Sequence, residues 1–253
     1  MNSFFKMNSL AVILLPLLML AGPFPGGPRI VGNEPPLGDI VATFSIAAHD
    51  PLAQEWGVAV ASKYLAVGAV VPWAKPETGA VATQSMVNVL LGNQGLELMS
   101  KGKSPGQALE EMLQADPGRE FRQVGLVDKD GNGGSYTGKK CNPWAGGKTG
   151  KNFACQGNLL AGPQVIDAMV KAFEETKGPL GYRLALSLDA GDKAGGDKRG
   201  KQSAALLVVK KNGGPSGMGD RFLDFRVDDH ADPVPELIRI AGLTSRFKAG
   251  VKK

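Results

Sequence analysis

The chain has 253 residues, of which 43% are hydrophobic and 21% charged, a composition typical of one folded domain rather than of a disordered protein. Its formal charge of +5 comes from basic residues scattered among acidic ones, and only three tryptophans and three tyrosines are present. Because no basic stripe with interleaved aromatic residues appears, we expect no nucleic-acid partner.

The N-terminal segment is predicted to direct export. An uncharged apolar run, Leu10–Ala21, follows Lys6 and is too short for a comfortable membrane span. It is typical of a signal peptide, which we predict over residues 1–22, with an uncleaved N-terminal anchor as the alternative. After its removal we expect a periplasmic or extracellular protein without membrane contact. Residues 23–41 are rich in proline and glycine and are predicted to be a linker or pro-segment.

The folded domain is predicted over residues 42–245, and a basic tail follows over residues 246–253. Its first two strands are expected to form a hairpin around the turn at Asp50-Pro51. Apolar runs bounded by turn residues predict strands at Val41–His49, Trp56–Lys63, Gly68–Val71, Gly79–Met86, Gln123–Val127, Gly134–Thr137, Phe153–Asn158, Ala204–Val209 and Arg221–Val227.

Helices are predicted between and after these strands. One begins with Ser104 as N-cap, Pro105 at the first helical position and Gln107 completing a capping box. Because hairpins outnumber alternating strand–helix units, the order of elements favours the α+β class, with mainly antiparallel sheets and helices in outer layers. Both a four-layer sandwich and a two-layer α+β domain fit that order. The remaining helices are predicted at Pro163–Thr176, Leu180–Ala190 and after Asp232-Pro233.

The cysteines and histidines are few. In an oxidising compartment Cys141 and Cys155 would either pair or stay as free buried thiols. Neither has a partner at metal-ligand spacing, so we predict no zinc site and no other cofactor. We expect His49 to take part in local turn bonding beside Asp50. The other histidine, His230, lies in the densest acidic segment of the chain.

That acidic segment allows two interpretations. Asp228, Asp229 and Asp232 would supply hard oxygen ligands for a divalent cation. The favoured alternative is that Asp232 caps the final helix while its neighbours are solvated.

The common catalytic motifs are absent from the sequence, which has no Gly-x-Ser-x-Gly elbow, phosphate loop or His-Glu-x-x-His. A nucleophile can be activated without imidazole by the α-amino group of its own residue, whose pKa is about 7.7–8.0. Such a residue must open a strand after a cleavable bond, and Thr43 has that position. Lys63 ends the partner strand, where its ammonium group would lower the pKa of the nucleophile.

Residues 42–240 contain a series of long motifs, namely Thr43–Ile46, Trp56–Lys63, Ala66–Ala74, Gly79–Gln84, Asp116–Glu120, Pro143–Gly146, Gln156–Gly162, Gly195–Ala205 and Arg226–His230. Together these motifs resemble the bacterial family known as domain of unknown function 1028.

The resemblance implies a fold and a set of roles. The family is grouped with the N-terminal-nucleophile hydrolases. That grouping implies a four-layer α-β-β-α sandwich fold and an enzyme activity that cuts amide bonds. Thr43 would be the nucleophile, Lys63 its electrostatic support, and the Asn158 amide or a glycine N–H the oxyanion donor. Each residue also has a structural alternative, such as surface capping, turn bonding or a solvated loop charge. The residues expected to hold a substrate carboxylate or amide are Gln84, Gln156, Arg199 and Gln202.

The resulting hypothesis is an exported amidohydrolase that acts on a small-molecule or peptide-like substrate. Because 42 residues precede Thr43, the leader must be removed before its amine is free. One rival is a non-catalytic small-ligand-binding protein on the same fold, and another is a cation-dependent module built on the acidic segment. Assembly into a homo-oligomer is left open.

Overall fold

The architecture comes from a computed structural model that describes residues 40–41 and 43–248. The predicted signal peptide, most of the predicted linker and the end of the basic tail lie outside these residues. The strands in chain order are β1 (Ile40–Val41), β2 (Thr43–Asp50), β3 (Glu55–Ser62), β4 (Pro72–Lys75), β5 (Gly79–Met86), β6 (Arg122–Asp128), β7 (Gly133–Thr137), β8 (Gly146–Gly150), β9 (Phe153–Gly157), β10 (Ser203–Val209) and β11 (Arg221–Val227). The helices are α1 (Leu90–Ser100), α2 (Pro105–Gln114), α3 (Gln164–Glu175), α4 (Leu180–Lys193), α5 (Pro233–Ala241) and α6 (Ser245–Lys248).

Two antiparallel sheets form the middle of the domain. The first has the order β1-β5-β6-β7, with β4 also paired to β5, and the second has the order β11-β10-β3-β2-β9-β8. The predicted hairpin is present as β2 and β3. The short strand β1 belongs to the first sheet and β2 to the second, although one residue separates them in sequence.

Side-chain alternation along the strands produces the layers. On β2, Phe44 and Ile46 pack against α3 and α4, whereas Ala47 faces the first sheet. Helices α1 and α2 cover the outer face of the first sheet through residues such as Leu91 and Leu109. The order is therefore helix, sheet, sheet, helix, which confirms the α+β class with antiparallel sheets and excludes the two-layer alternative.

Four local predictions were wrong or incomplete. Val67–Ala69 is a 3-10 turn where a strand was expected. Strands β4, which begins at Pro72, and β8 lie in segments where no strand was predicted. Helix α1 was not predicted because Gly92 and Gly95 interrupt its sequence; both glycines are buried, and a Cβ on Gly92 would overlap the ring of Trp73.

Cys141, Cys155 and His49 are all buried, which decides between the roles predicted for them. Cys141 and Cys155 are free, buried thiols, so they do not pair. His49 does not bond the turn, because its ring lies inside the domain and stacks on Trp56 with centroids 4.7 Å apart. Asp50 bonds the turn instead, through the backbone N–H groups of the two residues beyond Pro51. No helix in the described part of the chain has the length and apolar character of a membrane span.

Burial of His49 predicts acid sensitivity. Desolvation lowers the pKa of His49 below 6.5, against the opposing effect of Asp50, Asp128 and Asp130. The unfolded chain therefore binds a proton at His49 more readily than the folded chain does. The free energy of unfolding is highest above pH 6.5, where the histidine is neutral in both states, and it decreases as the pH falls. We expect the thermal midpoint to fall more between about pH 7.5 and about pH 5.5 in the wild type than in His49→Phe. Equal losses in the two proteins would contradict this assignment.

Candidate functional site

The facing surfaces of the two sheets are apolar at one end and polar at the other. The apolar end contains residues such as Trp56, Val58 and Ala80. At the other end seven hydroxyl and amide residues lie between the sheets, each at most 2% exposed, and we call them the inter-sheet polar cluster. Its members are Thr43, Ser45, Ser62, Gln84, Gln123, Gln156 and Asn158.

Strand register brings these side chains together. Thr43 and Ser45 are two apart on β2 and share the inward face with Ala47. Thr43 lies opposite Ser62 on β3, and Ser45 lies opposite Gln156 on β9. The cluster is thus a direct result of period-two patterning on neighbouring strands.

Thr43 is held on several sides. Its Oγ1 donates a hydrogen bond to Ser62 Oγ at 3.3 Å. Its backbone N–H donates to the Asn158 carbonyl at 3.3 Å, and its own carbonyl accepts from the Asn158 N–H at 2.9 Å. The side-chain nitrogen of Gln84 donates to the same carbonyl at 3.3 Å. In this state the Thr43 nitrogen is a peptide amide, which cannot act as a base.

The amide of Gln123 fixes the orientation of its neighbours. Its Nε2 donates to the carbonyls of Gly146 at 3.2 Å and Gly157 at 2.8 Å. Its Oε1 therefore faces the amide nitrogens of Gln84 and Asn158, both at 2.9 Å. Because carbonyls can only accept, the Gln123 amide cannot be turned around without losing these bonds.

Two buried acceptors are left over by this arrangement. With its Nδ2 bonded to Gln123, Asn158 presents Oδ1, which has no hydrogen-bond partner among the described residues. Gln156 donates from Nε2 to Ser45 Oγ at 2.7 Å, and its Oε1 is likewise without a described partner. An unsatisfied buried acceptor costs about 1–3 kcal/mol, so two of them on residues two positions apart mark a place where a donor is expected.

The remaining predicted site residues lie at the end of β3, on the rim of the cluster. The backbone N–H of Lys63 and the guanidinium of Arg199 both bond the carboxylate of Asp197, which is 1% exposed, at 3.0 and 2.7 Å. The ammonium group of Lys63 donates to the Lys201 carbonyl at 3.3 Å, and Gln202 donates to Asp229 at 3.2 Å. The side chains of Lys63 and Gln202 therefore bond rim residues rather than members of the cluster.

The acidic segment does not form the structures expected of it. Asp232 precedes α5, but its side chain caps nothing and instead accepts from Lys201 Nζ at 2.8 Å. The backbone N–H of Asp232 donates to His230 Nδ1 at 2.9 Å. Within residues 43–248, no three acidic, histidine or cysteine side chains converge as a metal site requires.

Sequence reasoning did not find Ser45, Ser62, Gln123 or Asp197. The first three had one available signal, a polar residue in an otherwise apolar strand. No local pattern marks Asp197, because its role depends on contacts that the structure creates. It accepts from the backbone N–H of Lys63, 134 residues away, and from the side chain of Arg199.

A known protein family matches most of the residues that form the folded domain. A sequence model described as a family of unknown function, DUF1028, matches residues 43–237. The crystal structure of protein SPO2555 from Silicibacter pomeroyi, assigned to the same family model, aligns with a TM-score of 0.73 and 30% identity over 81% of this chain and 89% of that chain. The ancestral β-subunit Anbu from Yersinia bercovieri aligns at a TM-score of 0.33 and 12% identity over 83% of this chain and 100% of that chain, an overlap too poor to carry an argument. No curated protein matches the chain.

The packing of the cluster can be tested at Gly125 on β6. A Cβ there would overlap Oε1 of Gln156, so Gly125→Ala must displace that amide. We expect the free energy of unfolding to fall by about 1–3 kcal/mol, measured by urea denaturation.

The matched control is Gly106→Ala in α2, where a Cβ meets open space. There alanine should be neutral or stabilising by about 0.5–1 kcal/mol. Equal effects at Gly125 and Gly106 would show that Gln156 is not held as described.

Proposed function

The chain belongs to the DUF1028 family of unknown function, and from that premise we propose that it is the precursor of an amidohydrolase with Thr43 as N-terminal nucleophile. One coincidence carries the proposal: Thr43 is the first residue of β2, the first residue that the family model matches, and a member of the inter-sheet polar cluster. A residue that opens a buried strand beside polar partners is the position that such a mechanism requires.

Removal of the leader would convert the Thr43 amide nitrogen into an α-amine. With an ordinary pKa of about 7.7–8.0, that amine can accept the proton of the Thr43 hydroxyl near neutral pH. Oγ1 would then attack the substrate carbonyl carbon, the C–N bond would break, and the departing amine would take the proton. Water would hydrolyse the ester on Thr43, releasing the acid and restoring the hydroxyl.

Asn158 suits a role different from oxyanion donor. Its backbone oxygen already accepts from the Thr43 nitrogen, and its Oδ1 is a buried acceptor with no hydrogen-bond partner in the part of the chain that the structure describes. An α-amine has more N–H donors than the amide it replaces, so Asn158 is matched to orienting that amine. In this scheme Asn158 is a positioning residue, and Ser62, whose Oγ lies 3.3 Å from Thr43 Oγ1, can donate to a developing oxyanion.

The rim suits a substrate with a carboxylate or amide. Asp197 anchors the Arg199 guanidinium and the backbone of Lys63 at the same end of the second sheet as Thr43. A planar guanidinium matches such groups better than an ammonium does. Lys63 contributes positive potential, weakened by solvent because its side chain is exposed. Export to the periplasm or beyond, inferred from residues 1–22, is part of the same proposal.

The nucleophile is tested by Thr43→Ala and Thr43→Ser in protein whose leader has been removed. Hydrolysis of a panel of acyl amides and short peptide amides is measured as released amine. We expect Thr43→Ala to lose activity by several orders of magnitude with little change in the urea midpoint, and Thr43→Ser to retain part of it. Undiminished hydrolysis by Thr43→Ala would contradict the proposal.

A further inference from the structure

The outer edge of β5 is shared by two strands. One edge of β5 pairs with β6 along Gly79–Ser85. On the other edge, β4 pairs with Gly79–Ala82, and β1 pairs with Ser85 and Met86. The short leader strand β1 therefore occupies the part of this edge that β4 leaves uncovered.

This edge segment is adjacent to the proposed nucleophile. Val41, which pairs with Ser85, stands two positions before Thr43 in sequence. Gln84, which precedes Ser85, donates its side-chain N–H to the Thr43 carbonyl at 3.3 Å. A chain that follows β1 along β5 thus runs towards Thr43 with its carboxyl end leading.

Ser85 is also held in an unusual conformation. Its φ is 72°, in the left-handed region that residues other than glycine seldom adopt in a strand. Backbone of this kind persists where surrounding structure fixes it, and it is found at ligand clamps. A backbone fixed in this way at Ser85 suits a strand edge that binds another chain in one direction only.

We propose that Ser85 and Met86 form a strand-addition slot for the acyl side of an extended peptide substrate, and that the leader occupies this slot before it is removed. The proposal rests on the function proposed above. The Met86 carbonyl also accepts from Arg122 Nη1 at 2.6 Å. Departure of β1 would take its backbone partner from the remaining groups of this edge, chiefly those of Ser85, and an extended peptide can pair with them antiparallel. A small amide without a peptide backbone has no strand to add.

The leader sequence indicates which peptides fit. Ile40 and Val41 pair with β5, and Ala42 precedes Thr43. By this correspondence the substrate carries two apolar β-branched residues followed by a small residue at the bond that is cut. Because only two residues of β5 are involved, recognition is confined to about three residues of the peptide.

The test uses full-length protein cut directly before Thr43 at an inserted enterokinase site, in wild-type and Thr43→Ala forms. The probe is the tripeptide amide Ile-Val-Ala-NH₂, and the readout is hydrogen exchange of the Ser85–Met86 amides. We expect exchange to speed up after cutting and to slow again when the peptide is added. N-methylation of the valine nitrogen should weaken binding by about fivefold, the effect of one lost hydrogen bond.

Uncut protein of natural sequence, without the inserted site, is the control, because its slot is filled by β1 and added peptide should change nothing. Protection in both cut forms without any hydrolysis by the wild-type form would support the slot while the proposed function fails. Hydrolysis of simple amides without protection of Ser85–Met86 in either cut form would overturn the slot and leave the proposed function standing. Cleavage of Ile-Val-Ala amide and its N-methyl analogue at equal rates would also overturn it.

Discussion

The side-chain amide of Gln123 uses both of its ends to join the two sheets at the polar end of the sandwich, where Gln84 also bridges them. Burying a polar group between sheets costs free energy unless the group is hydrogen-bonded, so the neighbours of Gln123 are expected to present the complementary atoms. Its nitrogen bonds carbonyls of the second sheet at Gly146 and Gly157, and its oxygen receives Gln84 and Asn158. The orientation of the Asn158 amide, and hence the Oδ1 acceptor that it presents in the cluster, follows from that one constraint.

Much of the fold follows from sequence because the longer strands and amphipathic helices carry strong periodic patterns. The failures have local causes. No strand was predicted at Pro72, yet proline is acceptable as the first residue of a strand that pairs on one edge only. Helix α1 carries no side-chain cap and contains buried glycines, and β8 consists of small and polar residues whose pairing with β9 alone makes them a strand. Such elements are specified by tertiary contacts, which a local pattern does not contain.

The candidate site was predictable only in part, for a related reason. Thr43 was singled out from its position at the start of a strand, and Gln84, Gln156 and Asn158 from the family resemblance. The structure brings all four into one cluster. Gln123 was missed because its partner Gln84 is 39 residues away, on a neighbouring strand. Strand alternation places a polar residue on one of two faces, and only the packing of the sheets determines that several such residues meet. Lys63 and Arg199 lie at the rim because Asp197, which no pattern indicated, holds that segment in place.

The proposed mechanism depends on whether Thr43 becomes the first residue of the chain. In the structure its nitrogen is still a peptide amide, with the leader strand paired to the first sheet and β2 to the second. The most direct measurement is the intact mass and N-terminal sequence of the protein recovered from its native compartment. The proposed mechanism predicts a mature chain that starts at Thr43. A stable chain that starts near residue 22, unchanged after prolonged incubation, would contradict it.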